Sequence, residues 1–198
     1  MFSLSLCAAG CGRPAITGSS LCAVHSADSA ADVRRLCGDI ISGKDIIRNI
    51  SAQGLHFDGI DFSHCQFYGC NFSGASFSMC LFTGAVIRLT FFDLASFSSC
   101  DFSNGDLQFL SMAGAAIRDC TFEGSELVNI NFNGTLISDS TFNKTDLYNS
   151  RFIGAGMTRT DFIDCNLKQT NFVKSRREKI NFKSSNTAEA IFEMEGLS

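Results

Sequence analysis

The sequence predicts an all-β repeat fold, and three observations support this prediction. The chain has 198 residues with 20 Phe but 2 Tyr and no Trp, as expected of a sealed apolar interior. From Phe57 to Phe172 every fifth residue is apolar, a period that fits neither a helix nor a strand. The residue two places before each apolar one is mostly small, as Cys80 and Ala85 are. A fixed short period is typical of a solenoid, whose units pack only on their neighbours.

The repeat units carry a family resemblance. CDFSN at 100–104, CTFEG at 120–124 and CNLKQ at 165–169 resemble the consensus of the pentapeptide-repeat family, A(D/N)LXX with Leu or Phe at the centre. The resemblance covers residues 55–174. It implies a right-handed quadrilateral parallel β-helix in which four pentapeptides form one square coil, so this stretch makes about six coils.

The order of side chains supports a coil of four pentapeptides independently of the family. Residues one coil apart should stack, and a Phe recurs at every twentieth position from Phe62 to Phe162. We therefore expect Phe57 to lie beneath Phe77. The same spacing places several Cys inward at positions that elsewhere take Ala, Ser or Thr, so we interpret them as packing residues rather than redox or metal groups: Cys65, Cys70, Cys80, Cys100, Cys120 and Cys165.

Residues 1–27 contain a set of side chains with metal-ligand spacing: Cys7, Cys11, Cys22 and His25. The pattern is C-x3-C-x10-C-x2-H, and two close pairs joined by a short loop suit a tetrahedral zinc site. The segment has too few apolar residues to fold without a metal or another cross-link. We predict a Cys3His zinc-binding module whose closed ligand set makes the zinc structural. The alternative is a loose leader with coincidental spacing.

The segments that flank the repeats are predicted to close the ends of the rod. Residues 28–54 form a helical N-terminal cap, because Val33, Leu36 and Cys37 share a helical face and Asp28 or Ser29 can cap it. At the other end, residues 175–198 break the register at Arg177 inside a basic cluster. A short helix is then predicted over TAEAIFEMEG. It serves as an end cap or, as the tail-to-tail pairing of gyrase-interacting family members allows, as a homodimer contact through Ile191, Phe192 and Met194.

Most outward positions of the repeat are polar or Gly, but two groups of outward residues differ from this pattern. Asp106, Glu126 and Asp146 take the same outward place on consecutive coils, and because like charges repel, this acidic stripe does not serve stability unless it arose by chance. Large apolar residues face outward on the second and third coils and suggest a partner-binding patch, or a surface that the N-terminal module covers. They are Leu81, Val86, Leu89, Phe91, Leu94 and Phe109.

These features favour a non-catalytic scaffold that binds a protein partner. A filled β-helix has no interior pocket, His56 and His64 fall on the surface, and no catalytic motif occurs, so we expect no enzyme. A net charge of −4 argues against direct nucleic-acid binding, and the zinc module adds only Arg13 as a base between its ligands. The resemblance implies an alternative, a DNA-mimic modulator of DNA gyrase like the quinolone-resistance members, although the acidity here is modest.

The start of the sequence predicts a cytoplasmic protein. MFSLSLC has no basic n-region and only a short apolar run, so we expect no signal peptide of the usual kind. No apolar run approaches the ~18 residues of a membrane span. Because a cytoplasmic protein is in a reducing compartment, we expect its ten Cys to be free or metal-bound thiols. The alternative is a bacterial effector delivered into a host cell, as some family members are.

Overall fold

The protein is a parallel β-solenoid of about seven turns, with one short helix near its N-terminus. The structure, a computed structural model, describes residues 5–43 and 46–193, the side chains of 39–43 excepted. Backbone hydrogen bonds join each coil to the next, and pairing partners are one coil apart, as Phe57 and Phe77 are. The solenoid predicted from the period of five is confirmed.

Two parallel sheets form opposite sides of the rod. The five-stranded sheet contains, in order, β1 (Ile46–Arg48), β3 (Gln66–Tyr68), β5 (Val86–Arg88), β7 (Asp106–Gln108) and β9 (Glu126–Val128). The seven-stranded sheet contains β2 (His56–Asp58), β4 (Ser76–Ser78), β6 (Ser96–Ser98), β8 (Ala116–Arg118), β10 (Leu136–Ser138), β11 (Gly156–Asp161) and β12 (Arg176–Asn181). Single bridges hold the other two sides, for example between Leu81 and Asp101 and between Phe91 and Ser111.

Ladders of Phe rings fill the core along the rod axis. The ring of Phe102 stacks between Phe82 and Phe122, with centroid distances of 4.6 Å and 4.8 Å. Phe57 lies beneath Phe77 at 4.9 Å with an interplanar angle of 8°, as predicted. Neighbouring columns meet edge to face, as Phe97 and Phe102 do, so Phe102 combines stacked and T-shaped contacts.

The small and polar places of the repeat have separate backbone roles. The inward small residue often donates to a carbonyl of the preceding coil, as Ser125 Oγ does to Phe102 O at 2.6 Å. The Asp or Asn before the central residue accepts from the amide two places on, as Asp101 Oδ1 does from Ser103 N at 2.8 Å. This is an Asx turn, and it explains why the repeat turns a corner there.

Helix α1 (Ser29–Gly43) closes the N-terminal end as predicted. Asp28 caps it, because its Oδ1 accepts a hydrogen bond from Ala31 N at 2.8 Å. Val33, Leu36 and Cys37 are buried and belong to the same core as the Phe ladders. None of the helices within the described ranges has the length and apolar content needed to cross a membrane.

The solenoid extends beyond the predicted limits of 55–174 at both ends, which explains why there are about seven turns rather than six. At the N-terminal end Ile47 pairs with Phe67. At the C-terminal end Arg177 pairs in register with Met157, so the chain continues to coil where the sequence pattern is interrupted. The apolar pattern of the sequence is interrupted there because Arg177, a charged and exposed residue, takes the place in the register that Met157 has on the preceding coil.

The predicted C-terminal helix is wrong for the described part of the chain. There the structure has a single 3-10 turn, Thr187–Glu189. Ile191 instead bridges Asn171, and the Phe192 ring stacks on Phe172 at 5.2 Å. Stacking onto the preceding coil thus overrides the local helical pattern.

We expect Phe102→Ala to lower the free energy of unfolding by about 3–5 kcal/mol, because it removes a fully buried ring from the middle of a ladder. Phe109→Ala removes the same ring from a side chain that is 54% exposed, and should change that free energy by less than about 1 kcal/mol. Urea unfolding of both variants measures the difference, and equal losses would contradict the ladder as the source of stability.

Candidate metal centre and apolar groove

A small hairpin presents the first two candidate metal ligands. Its arms are joined by hydrogen bonds from Cys7 N to Arg13 O at 2.9 Å and from Ala15 N to Ser5 O at 2.8 Å. Gly10 and Gly12 both have a φ above 70° in the turn between the arms, a conformation that favours glycine. The hairpin therefore places Cys7 at the end of one arm and Cys11 in the turn.

The other two candidate ligands lie in the tight turn before α1. His25 N donates to Cys22 O at 3.0 Å, which brings both side chains to the same side. His25 Nδ1 lies 3.5 Å from the Sγ of Cys7 and 3.5 Å from that of Cys22. Cys11 Sγ lies 3.7 Å from Cys22 Sγ, and all four donor atoms fall within 4.8 Å of one another. The structure thus brings together the four predicted ligands, and this cluster can hold a metal ion.

The electrostatics of the cluster lower the pKa of Cys7 and Cys22 and raise the pKa of Cys11 and His25. Burial opposes charge on Cys22, but the backbone N–H groups of His25 and Val24 outweigh it and lower the Cys22 pKa to about 6. A hydrogen bond from the Cys22 amide lowers the pKa of Cys7. The thiols of Cys7 and Cys22 in turn raise the pKa of His25. A bound cation would replace the protons that these groups share.

The metal-ligand module is docked on the first coil of the rod. Thr17 N donates to Ser51 O at 2.9 Å, and Ser51 N donates to Thr17 Oγ1 at 2.7 Å. Ile16 is 2% exposed and joins the core of the solenoid. The module therefore closes the N-terminal end together with α1, rather than hanging from it as a loose leader.

Three of the six predicted patch residues, Leu89, Phe91 and Phe109, line one groove of about 430 Å³. Arg48 and Tyr68 line it too, and the Arg48 guanidinium carbon lies 5.0 Å from the centre of the Tyr68 ring. We call this the corner groove, because Leu89 and Phe109 stand at the same corner on consecutive coils. It is apolar along its floor and positively charged at one edge.

The other three predicted patch residues lie elsewhere. Leu81 is half a coil from Phe91 and therefore faces the opposite side of the rod. Leu94 stands at another corner, against Gly114, and Val86 is half-buried in the five-stranded sheet. The six residues thus do not form one continuous surface, although the corner groove stays a candidate partner site.

Leu89 and Phe109 are unusual in both exposure and backbone. They are 62% and 54% exposed, and their φ angles are 50° and 56°. The left-handed region is uncommon for such side chains, and at this corner the other coils carry residues that tolerate it, such as Asn49 and Asn129. Comparison of corner positions along the sequence is the signal that would have separated this groove from the rest of the predicted patch.

The three residues of the acidic stripe lie in register on consecutive coils, but the carboxylates of Asp106 and Asp146 have partners within the chain. Asp106 pairs with Glu126, which bridges Asp146 on the next coil, as predicted. Asp106, however, forms a salt bridge with Arg88. Asp146 Oδ1 accepts a hydrogen bond from Asn166 Nδ2 at 2.8 Å. The stripe therefore presents less free negative charge than its three carboxylates suggest.

The inward cysteines sit where packing residues were predicted. Cys70, Cys80, Cys100, Cys120 and Cys165 are buried, and Cys65 is half-buried. Burial raises the pKa of the Cys70 thiol to about 11, so this thiol stays protonated at neutral pH. Cys100 Sγ approaches Phe77 O at 3.5 Å, in the manner of the inward Ser residues.

The proposed dimer contact at the C-terminal end is partly occupied within the chain. The Phe192 ring packs on Phe172 and lies 4.7 Å from the Arg177 guanidinium carbon, while Ile191 is 44% exposed. Met194 lies outside the described residues. A homodimer through this end stays a prediction of the sequence.

Comparisons with known proteins address the repeat region. The family model described as pentapeptide repeat region matches residues 55–132, and the model described as pentapeptide repeats (8 copies) matches 115–154 and 145–176. No curated protein matches the chain.

Several solved structures are similar to this chain. A trypsin-treated variant of QnrB1, a plasmid-mediated fluoroquinolone resistance protein, has 23% identity and a TM-score of 0.39, over 69% of this chain and 78% of that chain. HetL from Nostoc sp. strain PCC 7120, involved in heterocyst differentiation regulation, has 10% identity and a TM-score of 0.39, over 82% and 96% of the two chains. Rfr23 from Cyanothece 51142 has 10% identity and a TM-score of 0.33, over 81% and 98%.

These TM-scores are too low to carry an argument about function. The family models and the repeating coil geometry instead agree on the same stretch of sequence. The chain therefore belongs to the pentapeptide-repeat family.

Proposed function

We propose that this protein is a non-catalytic scaffold that binds a protein partner through the corner groove. The observation that carries the proposal is the pair Leu89 and Phe109, which place large apolar side chains in exposed, left-handed corner positions. Neither the exposure nor the backbone conformation benefits the folded state, so a selected contact is the better explanation. Pentapeptide-repeat proteins are generally non-catalytic, which is consistent with this role.

The groove indicates the chemistry of its partner. A volume of about 430 Å³ lined by Leu89, Phe91 and Phe109 suits one or two large apolar side chains. Arg48 at its edge, over the Tyr68 ring, favours a carboxylate beside them. We expect the partner to present an aromatic or aliphatic anchor flanked by Asp or Glu.

The double variant Leu89→Asn/Phe109→Asn tests this function. Asn readily adopts the left-handed backbone conformation of these corners, so the variant should keep the fold while it loses both apolar side chains. Affinity capture followed by direct binding measurement should show a partner whose affinity falls by about tenfold or more in the variant. Met79→Asn is the matched control, because Met79 is 59% exposed with a φ of 51° at a corner that does not line the groove. A partner that binds the double variant as tightly as the control would refute the proposal.

We further propose that the Cys3His cluster binds structural zinc. With Zn–S near 2.3 Å and Zn–N near 2.0–2.1 Å, a tetrahedral site places two thiolates about 3.8 Å apart and a thiolate and an imidazole about 3.6 Å apart. The distances of 3.7 Å between Cys11 and Cys22 and 3.5 Å from His25 to Cys7 fit these values. Four protein ligands leave no open position for a substrate, so the role supported is structural.

Metal analysis of the purified protein tests the zinc proposal. We expect about one zinc per chain in the wild type and in Cys65→Ser, whose thiol is not in the cluster. Cys11→Ser should lose most of the metal, because three ligands bind zinc far more weakly than four. Wild-type protein with no bound zinc, or a Cys11→Ser variant that keeps it, would contradict the assignment.

The gyrase alternative has weaker support from the surface. The acidic stripe spans three coils and one of its carboxylates is held by Arg88, which is little negative charge for an imitation of DNA. We expect the protein to leave gyrase supercoiling activity unchanged at micromolar concentration. Protection from a quinolone, or inhibition that Glu126→Lys relieves, would make gyrase the partner instead. Delivery into a host cell stays a prediction of the sequence.

A further inference from the structure

We infer that the corner groove binds an amphipathic α-helix, which lies along the rod axis with its C-terminal end at Arg48. This inference rests on the proposed function and adds the shape and the direction of the partner segment. It commits to one occupant, a helix of a protein partner. This helix has apolar residues at intervals of three and four and a carboxylate in its last turn.

The corner groove is elongated along the rod axis. Its lining residues come from four consecutive coils, and Asn49, Gly69, Leu89 and Phe109 occupy the same corner of these coils, each with a positive φ. Because coils lie about 4.8 Å apart, this column of corners spans about 14 Å. Gly69 has no side chain, so the column has a notch between Asn49 and Leu89 that an apolar side chain of the partner can enter.

The spacing of the coils favours a helix over an extended strand as the occupant. Leu89 and Phe109 are one coil apart, which places them about 4.8 Å apart along the axis. One face of a helix recurs about every 5.4 Å, whereas one face of a strand recurs about every 6.7 Å. Over three coils the helix falls about 2 Å out of step and the strand about 6 Å, which is more than a whole coil. A helix along the axis therefore places one side chain against each coil of the groove.

The charges at the two ends of the groove determine the direction of the helix. Arg48 stands at one end, with its guanidinium carbon 5.0 Å from the centre of the Tyr68 ring. The coil beyond Phe109 carries the exposed Glu126, whose Oε2 accepts a hydrogen bond from Gln108 Nε2 at 3.4 Å. A helix has partial negative charge at its C-terminus and partial positive charge at its N-terminus. The C-terminal end is therefore favoured at Arg48 and the N-terminal end toward Glu126.

The distance between these charges suits an ordinary helix. They are about four coils apart, or roughly 19 Å, which a helix of about 13 residues covers. The inference also gives a role to the acidic stripe. Asp106 forms its salt bridge with Arg88, and the Asp146 carboxylate accepts a hydrogen bond from an Asn side chain. Glu126, between them, has only the long contact to a neutral amide and is placed to meet the first turn of the helix.

Selection of random 16-residue peptides displayed on phage tests the shape of the occupant. The full chain is the bait, and phage that also bind Leu89→Asn/Phe109→Asn are removed. Enriched peptides should carry large apolar residues at i, i+3 or i+4, and i+7, with Asp or Glu near the C-terminal end of this pattern. Their affinity for the double variant should be lower by about tenfold or more.

Three outcomes of this selection would overturn the inference. Enriched peptides with apolar residues at i, i+2 and i+4 would overturn it and leave the proposed function standing. If no groove-dependent peptide is enriched, the inference fails, and capture of a groove-dependent partner decides the proposed function separately. A dimer of this chain that Leu89→Asn/Phe109→Asn dissociates in analytical ultracentrifugation would make a second copy the occupant instead.

A nitroxide label at either end of an enriched peptide tests the direction. In amide NMR spectra of the full chain, the C-terminal label should broaden Tyr68 at least about twofold more than Glu126, because the two ends of the helix are well separated. The N-terminal label should do the reverse. Glu126→Lys should lower the affinity by about threefold, because a cation then faces the first turn. Asp58→Lys, the same charge change on the opposite sheet, should not lower it. Exchanged broadening, or equal affinity of the two Lys variants, would overturn the inference.

Discussion

Stacking of each coil on the previous one is the constraint on which the rest of the molecule depends. Short strands and single bridges supply few hydrogen bonds per side, and an isolated coil could bury its inward ring against nothing. Alignment at a fixed spacing places Phe102 between Phe82 and Phe122 and joins backbone groups of neighbouring coils, as Phe82 N donates to Asp101 O at 2.6 Å. Every corner must then turn at the same place, which is why the Asx turns and left-handed residues recur on nearly every coil.

The two ends of the rod meet this constraint differently. At the N-terminal end α1 and the metal-ligand module cover the core, and Leu36 of α1 is 1% exposed within it. At the C-terminal end the strand Arg176–Asn181 is mostly exposed, and the Arg177 guanidinium lies over the Phe192 ring. A cation–π contact contributes on the order of 1 kcal/mol, less than a packed helix does. The N-terminal end therefore carries the module and the corner groove, while the residues described at the other end present an exposed strand and a cation–π contact.

The sequence predicts the regular part of this protein well because every coil has the same length, so spacing along the chain determines which residues stack. The stacking of Phe57 on Phe77 and the grouping of Cys7 with His25 both follow from spacing alone. The corner groove does not follow, because it joins residues from four coils and depends on which corners lack Asn or Gly. The prediction for the C-terminal segment is wrong because its local helical pattern competes with stacking on Phe172, which no local window reveals.

The uniform spacing of contacts also has a kinetic consequence. Most contacts join residues about one coil apart, so the relative contact order is near 0.1, a value associated with fast folding even though the structure is almost entirely β. Folding can nucleate on any pair of coils and spread in both directions. Opening, by contrast, should begin at the C-terminal end, where the strand Arg176–Asn181 is mostly exposed, so that amide exchange slows coil by coil toward Phe57. Folding could then start anywhere along the rod, whereas unfolding would start from one end only.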